Sequence, residues 1–192
     1  MEHLVTVDDL LDVDIDDVVR LALVVHDRPS TVATALDGAK IGLVLPQPRT
    51  TSAKARLQAA VTRLGAEPLL IELRDRRLPA PVEEVIDLLQ VPDLRACVVT
   101  GASPAAIRQV GTQLAVPTFN AGQHPDDPWP VLAGLTARRL AAAHRERGAV
   151  DGYEEMVREA MVPTAAAVIA LLAGGAASTI DLRTDTASHW FG

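Results

Sequence analysis

The chain has 192 residues, of which 48% are apolar and 22% are charged, an ordinary balance for a globular domain that excludes disorder, collagen and coiled-coil repeats as its main structure. Eighteen basic residues against 25 acidic ones give a formal net charge of −7, which argues against a nucleic-acid binder that relies on general charge. The single cysteine, Cys97, excludes a disulfide framework or a thiolate metal site within one chain. We expect one domain over residues 1–177, followed by a polar tail over 178–192.

The N-terminal segment MEHLVTVDDLLDVDIDD carries acids where a secretory signal needs a basic segment and then an apolar one. The longest uncharged stretch, residues 160–177, contains Pro163, Thr164, Gly174 and Gly175 and is mostly alanine. This composition favours a buried helix over a membrane span. We therefore expect a cytoplasmic protein without a membrane partner.

The first half of the chain alternates between helical and strand patterns. Thr6 followed by Asp9 predicts a capping box, and a break near Asp14 leaves open whether one helix or two short ones follow. The apolar residues at helical spacing there are Leu10, Leu11, Ile15, Val18, Val19, Ala22 and Val25. Strands are predicted over 40–45 and 68–73, and helices over 51–64 and 81–90.

The second half predicts strands over 95–100 and 116–120. Ser103-Pro104 reads as an N-cap with proline at the first helical position, opening a helix that ends at Leu114. Two more helices are predicted over 130–146 and 153–173. Strands that alternate with helices indicate a three-layer α/β/α domain with a four-stranded parallel sheet. Ligands of such sheets bind outside the carboxyl ends of the strands, here near residues 46–54, 73–77, 100–103 and 120–127.

Four segments carry a family likeness. IGLVLPQPRTTSAKARLQAAVTRLGAEPLLIEL resembles the first strand, phosphate loop and following helix of the aspartate and ornithine carbamoyltransferases, whose loop reads S-T-R-T-R. VPTFNAGQHPDDPWPVLAGL resembles their V-P-V-I-N-A-G, then H-P-T-Q, then an apolar helix. The opening HLVTVDDLL and the stretch YEEMVREAMVPTAAAVIALLAG resemble the family's first helix and its last, returning helix. The resemblance runs in order over about residues 3–174, without the amino-acid-binding domain.

This resemblance implies a carbamoyl-phosphate-binding domain alone, completed by the returning helix over 153–174. It also implies a homotrimer with sites at subunit boundaries, a small anion such as phosphate or carbamoyl phosphate as ligand, and no cofactor. The family holds the phosphate and polarises the carbonyl through arginines, histidine, glutamine and helix N-terminal amides.

The aligned phosphate loop departs from the family pattern. Aligning backwards from Arg63-Leu64-Gly65 places Thr50, Thr51, Ser52, Ala53 and Lys54 on S-T-R-T-R. Both loop arginines are therefore replaced, one by Ser52 and one by Lys54, and lysine lacks the bidentate guanidinium fork. The family's third-strand arginine is matched by Thr100.

The second motif departs as well. Aligning the apolar helix places Asp127 on the histidine of H-P-T-Q and Pro130 on its glutamine, whereas an alignment with three extra residues restores a histidine, His124. A carboxylate at this position would repel a phosphate. Arg76 and Arg77 follow the second strand and are candidates for reaching an anion in their own site or a neighbour's. The histidines show no metal-ligand spacing, so we expect no metal.

These departures predict a degenerate carbamoyltransferase-like protein that does not perform ordinary carbamoyl transfer alone. It would act as an anion-binding, structural or regulatory subunit in amino-acid or pyrimidine-related metabolism, with a partner enzyme as one possibility. The alternative is a transferase of altered substrate, with a site rebuilt around Lys54, His124, Asp127 and the arginines near position 76. Whether any catalysis remains is left open by the sequence.

Overall fold

The computed structural model describes residues 3–12, 15–46, 51–73, 82–122, 124, 127–146 and 152–174. Its sheet has five parallel strands, ordered β1-β5-β4-β2-β3. The strands are β1 His3–Leu4, β2 Lys40–Pro46, β3 Glu67–Leu73, β4 Leu94–Val99 and β5 Thr118–Asn120. The prediction of a parallel α/β sheet is confirmed, but the number of four strands is wrong. The fifth strand, β1, has two residues, too few to show a strand period in the sequence.

Six α-helices connect and cover the strands. They are α1 Ile15–Asp27, α2 Thr51–Arg63, α3 Val82–Leu89, α4 Pro104–Leu114, α5 Pro128–Glu146 and α6 Tyr153–Leu172. Two short 3-10 helices, Val7–Asp12 and Pro29–Val32, lie on either side of α1. Helices α2 to α6 each lie within about two residues of the predicted range, because apolar spacing shows directly which face of a helix is buried.

The N-terminal segment divides near the predicted break. A 3-10 helix occupies Val7–Asp12 and α1 begins at Ile15. Leu11 was included among the apolar residues at helical spacing, but it is 89% exposed. The reason is that a 3-10 helix has three residues per turn, so its apolar face does not continue that of α1. The capping interaction is present: the Asp9 carboxylate accepts from the Thr6 N–H at 2.7 Å.

The helices form two layers around the sheet. On one side, α1, α2, α5 and α6 share a core with the strand residues Ala96, Val98 and Phe119. On the other side, α3 and α4 pack against Cys97 and Val99. The alternation within β4 follows from strand geometry, in which successive side chains point to opposite faces. The sheet is thus buried on both sides, as its apolar strands predict.

The alanine-rich stretch forms α6, which packs against α5 within the first layer. The Trp129 indole N–H donates to the Met161 carbonyl at 2.9 Å, and the Thr164 hydroxyl donates to that of Thr136 at 3.1 Å. Both contacts are buried, so they fix how the two helices meet. In the described ranges no helix has the length and apolar character needed to cross a membrane.

Candidate functional site

The strand order creates a crevice between β2 and β4. From β2 the chain passes through α2 to β3 on one side, and then through α3 to β4 on the other side of β2. The carboxyl ends of β2 and β4 are adjacent, and the Thr100 N–H donates to the Val44 carbonyl at 3.0 Å. Such a switch in strand order is where open α/β sheets bind their ligands, because the following loops diverge there. The crevice lies at the carboxyl ends of these two strands.

The N-terminus of α2 lies at this end of the sheet. The helix begins at Thr51, so Ser52 and Lys54 lie in its first turn, which contains no acidic residue. The first N–H groups of a helix have no partner within the helix and carry partial positive charge, which favours an anion. The Ser52 side chain is exposed and Ala53 is buried at 2% exposure. Thr50 and the Thr51 side chain lie outside the described part.

Thr100 is a buried polar residue at the same end of the sheet. It is 4% exposed, and within the described ranges its hydroxyl oxygen has no hydrogen-bond partner. Strand alternation places its side chain on the face of Ala96 and Val98, whose core includes Leu57 of α2. A buried hydroxyl without a partner destabilises the fold by about 1–3 kcal/mol, so a bound water or a ligand that accepts or donates a hydrogen bond here would stabilise the fold.

Lys54 does not project freely toward an anion. Its ammonium donates to the Glu72 carboxylate, with Nζ and Oε1 2.5 Å apart. Glu72 is the penultimate residue of β3 and is paired in register with Leu45 of β2, so it lies at the carboxyl end of the sheet. The site therefore includes a carboxylate that partly neutralises its lysine. Sequence reasoning missed Glu72, although an acid next to the end of an otherwise apolar strand is a visible signal.

Asp127 is held within its own loop. One carboxylate oxygen accepts from the Asn120 side-chain amide at 3.1 Å, and the other accepts from the His124 N–H at 2.9 Å. The Asn120 amide also donates to the Val5 carbonyl, and its oxygen accepts from the Gly122 N–H at 3.0 Å. Asn120, which the sequence analysis did not single out, thus connects the ends of β1 and β5 to the start of α5.

The remaining predicted residues are dispersed. The His124 side chain is exposed. The Ser103 hydroxyl accepts from the Ala106 N–H at 3.3 Å and so caps α4, as its position before proline predicts. Arg76 and Arg77, with the rest of residues 74–81, lie outside the described part, as does the tail over 178–192. The chain order places Ser52 and Lys54 after β2, Thr100 after β4 and Asp127 after β5, so all four follow the carboxyl ends of the parallel strands.

Cys97 and the possible metal ligands of the described ranges were the other candidates for a site in the sequence. Burial raises the pKa of the Cys97 thiol to about 12, so the reactive thiolate is scarce at neutral pH. Among the residues with described positions, no three histidine, cysteine, aspartate or glutamate side chains form a group that could hold a metal ion.

Comparisons with known proteins identify similar folds. No family model matches the sequence, and no curated protein matches it. Ornithine carbamoyltransferase from Burkholderia thailandensis E264 has a TM-score of 0.60 at 17% identity, over 77% of this chain and 50% of that one. Ornithine transcarbamoylase from Giardia lamblia has a TM-score of 0.59 at 18% identity, over 77% and 45%. The catalytic subunit of M. jannaschii aspartate transcarbamoylase has a TM-score of 0.57 at 20% identity, over 88% and 57%.

The alignments cover only part of each of these larger proteins. This chain spans about half the length of these carbamoyltransferases, which corresponds to one domain. Identities of 17–20% establish similarity of fold only. The chain therefore has a fold like that of one domain of the ornithine and aspartate carbamoyltransferases.

Proposed function

We propose that this carbamoyltransferase-like domain binds a small anion, such as phosphate or carbamoyl phosphate, in the crevice between β2 and β4. It would serve as a binding, structural or regulatory subunit rather than as a complete carbamoyltransferase. The observation that carries the proposal is the buried Thr100 hydroxyl without a partner among the described residues. It lies at the same end of the sheet as the N-terminus of α2, so amides and a hydroxyl donate there together.

The absence of a matching arginine set supports the non-catalytic part of the proposal. Carbamoyl transfer requires cationic donors that stabilise charge developing in the transition state. Ser52 and Thr100 occupy positions where the resembled family has arginine, and Lys54 is paired with Glu72. Neutral hydroxyls and helix amides can hold an anion, but each of their hydrogen bonds is roughly half as strong as one from a charged arginine.

The alternative, a transferase with a rebuilt site, has less support from the geometry. It would use Lys54 and Asp127 as free functional groups. Lys54 is engaged by Glu72, and both carboxylate oxygens of Asp127 accept hydrogen bonds within its loop. Both residues therefore have structural partners, which accounts for their positions without a reaction.

The proposal is tested by titrating the protein with phosphate while following thermal unfolding. We expect phosphate to raise the melting temperature of the wild type, since a ligand that binds only the folded state stabilises it. Thr100→Val should lower phosphate affinity by about three- to tenfold, because it removes one hydrogen bond to the ligand. The same change should raise the melting temperature without phosphate, because a buried hydroxyl without a partner is removed.

A second site variant and a matched control complete this experiment. Lys54→Ala should abolish the shift given by phosphate, since it removes a positive charge and keeps the negative charge of Glu72 at the end of the sheet. Thr112→Val is the matched control, because the exposed Thr112 hydroxyl bonds to the Arg108 carbonyl of its own helix. An unchanged phosphate response in both Thr100→Val and Lys54→Ala would place the anion elsewhere and overturn the proposal.

A further inference from the structure

The N-terminal segment over residues 3–9, here called the strap, lies between three elements of the fold. Its strand β1 pairs with β5 in parallel register, at one edge of the sheet in the described part of the chain. Its last residue, Asp9, binds Arg108 of α4. We propose that the strap couples α4 energetically to the start of α5, with Asp9 as a positioning residue for the Asp127 carboxylate. This inference goes beyond the proposed function and needs no bound anion.

Arg108 and Asp127 are joined by an unbroken series of hydrogen bonds. Nη2 of Arg108 donates to both carboxylate oxygens of Asp9, at 2.8 and 2.9 Å. The Asp9 carboxylate also accepts from the Val5 N–H at 2.8 Å. The Val5 carbonyl in turn accepts from the Asn120 side-chain amide at 2.9 Å, and that amide also donates to Asp127 at 3.1 Å. A displacement of Asp9 therefore reaches Asp127 through one backbone residue and one side chain.

The middle of this series is held firmly enough to transmit a displacement. Val5 is fully buried and belongs to the core that α3 and α4 form with the sheet. Asn120 is 4% exposed, and its oxygen accepts from the Gly122 N–H at 3.0 Å. Two acceptors and one donor thus surround the amide, so only one of its two flipped orientations satisfies all three. Rotation of this buried amide would leave polar groups unpaired, which makes each contact depend on the next.

The far end of the series determines where the Asp127 carboxylate lies. One oxygen accepts from Asn120, and the other accepts from the His124 N–H at 2.9 Å. A residue that directly precedes a helix usually binds the N–H of the second or third helical residue. Helix α5 begins at Pro128, and its third residue is Pro130, which has no N–H. The Asp127 carboxylate therefore depends on Asn120 more than an ordinary helix cap depends on residues outside its helix.

The proposal predicts that substitutions at the two ends of the series have non-additive effects on stability. Arg108→Met removes the guanidinium and keeps the aliphatic stem, whereas Asp127→Asn removes the negative charge and keeps the size of the side chain. Urea unfolding of the full chain at neutral pH measures the unfolding equilibrium constant of each variant. We expect the product of the two single effects on this constant to exceed the effect of the double variant by about three- to tenfold.

The same cycle in an Asp9→Ala background tests the route through the strap. Asp9 joins Arg108 to Val5, so without its carboxylate the effects of Arg108→Met and Asp127→Asn should multiply to within about twofold. A direct attraction between the charges of Arg108 and Asp127 would instead persist in that background. If Asp9→Ala does not fold, Asp9→Asn replaces it, because it also removes the charge that holds Arg108.

A second measurement follows the far end of the series directly. The His124 N–H donates to Asp127, so its hydrogen exchange, followed by NMR, reports whether that carboxylate stays in place. Arg108→Met should speed this exchange by about three- to tenfold. The Ala106 N–H, which donates to Ser103 at the start of α4, should keep its rate to within about twofold. A merely structural role of Arg108 would raise both rates together, because global unfolding exposes both amides.

The matched control is Ser103→Ala. It removes the cap of the helix that carries Arg108, but the Ser103 hydroxyl binds the Ala106 N–H and not the strap. Its effect should be additive with that of Asp127→Asn, and it should leave the exchange of the His124 N–H unchanged.

Three results would each overturn the inference. They are additive effects of Arg108→Met and Asp127→Asn, non-additivity that persists without the Asp9 carboxylate, and a His124 exchange rate that responds equally to Ser103→Ala. None of these measurements involves an anion, so a failure of the strap leaves the proposed anion binding untouched. A protein that does not bind phosphate likewise leaves the role of Asp9 open to the same measurements.

Discussion

Arg108 of α4 binds both carboxylate oxygens of Asp9, with its Nη2 atom 2.8 and 2.9 Å from them. The same carboxylate accepts from the N–H groups of Val5 and Thr6. Burial by itself raises the pKa of Asp9, but the hydrogen bonds from Arg108, Thr6 and Val5 outweigh it, so the pKa lies below its ordinary value of 3.8. The ionised carboxylate thus ties the 3-10 helix at the N-terminus to α4.

We expect Asp9→Asn to destabilise the protein at neutral pH by about 1–2 kcal/mol, because it weakens a helix cap and an ion pair. A carboxyl pKa that is depressed in the folded state contributes stability above its unfolded value and loses it as pH falls through the folded value. The difference between wild type and variant should therefore shrink below about pH 4. Urea unfolding at neutral and acid pH measures the difference in unfolding free energy between the wild type and the variant. Asp8→Asn, an exposed neighbour, is the control, and an equal effect of both variants at neutral pH would contradict the assigned role.

Gly122→Ala should open the loop that precedes α5. A Cβ atom at Gly122 would clash with the Asp127 Oδ2 atom and lie 3.1 Å from the Asn120 Oδ1 atom, so the carboxylate has to move. Losing its hydrogen bonds to Asn120 and His124 should destabilise the fold by about 2–3 kcal/mol. Chemical denaturation measures the loss. A wild-type unfolding midpoint would show that Asp127 does not hold this loop closed.

Gly134→Ala in α5 should stabilise the protein, in contrast to Gly122→Ala. The added Cβ atom would meet the Tyr153 hydroxyl at 3.5 Å, an ordinary contact, and Gly134 lies inside the helix. Since alanine favours a helix over glycine, we expect stabilisation by about 0.5–1 kcal/mol. Thermal unfolding measures it. A lowered melting temperature would show that α5 and α6 pack more closely at Gly134 than these contacts indicate.

The isolated chain should not form carbamoyl-ornithine or carbamoyl-aspartate from carbamoyl phosphate. Removing one transition-state donor typically lowers the rate about 10²–10³-fold, and Ser52 and Thr100 replace two at matched positions. Product formation measured with a large excess of enzyme checks this. Turnover at about 1 per second or faster would show that the site remains catalytic by other means.

We expect the chain to form a homotrimer, as the family resemblance implies. In the described part of the chain β3 is an edge strand, which is consistent with association, because Leu69, Leu70 and Ile71 are only partly buried there. Light scattering should give about three times the chain mass of 20.4 kDa at low concentration. A monomer mass at all concentrations would exclude the trimer.

The elements of the fold could be predicted from the sequence because their signals are local. Apolar spacing determines the buried face of each helix, and proline after Ser103 determines where α4 begins. The capping interaction between Thr6 and Asp9 needs only three residues of separation. Strand β1 was missed because its pairing with β5 depends on residues about 115 positions away, not on its own two residues.

Some features of the candidate site could also be predicted from the sequence, whereas others depend on the tertiary structure. The sequence by itself determined that Thr51, Ser52 and Lys54 open a helix after an apolar strand, since capping and period are properties of neighbouring residues. Only the tertiary structure decided that Lys54 meets Glu72, that Asp127 is bound by Asn120, and that Thr100 is buried without a partner in the described ranges. These facts depend on strand order and burial, which arise when distant segments pack together. The chemistry of the site therefore follows from charges and hydroxyls that folding brings into contact or isolates.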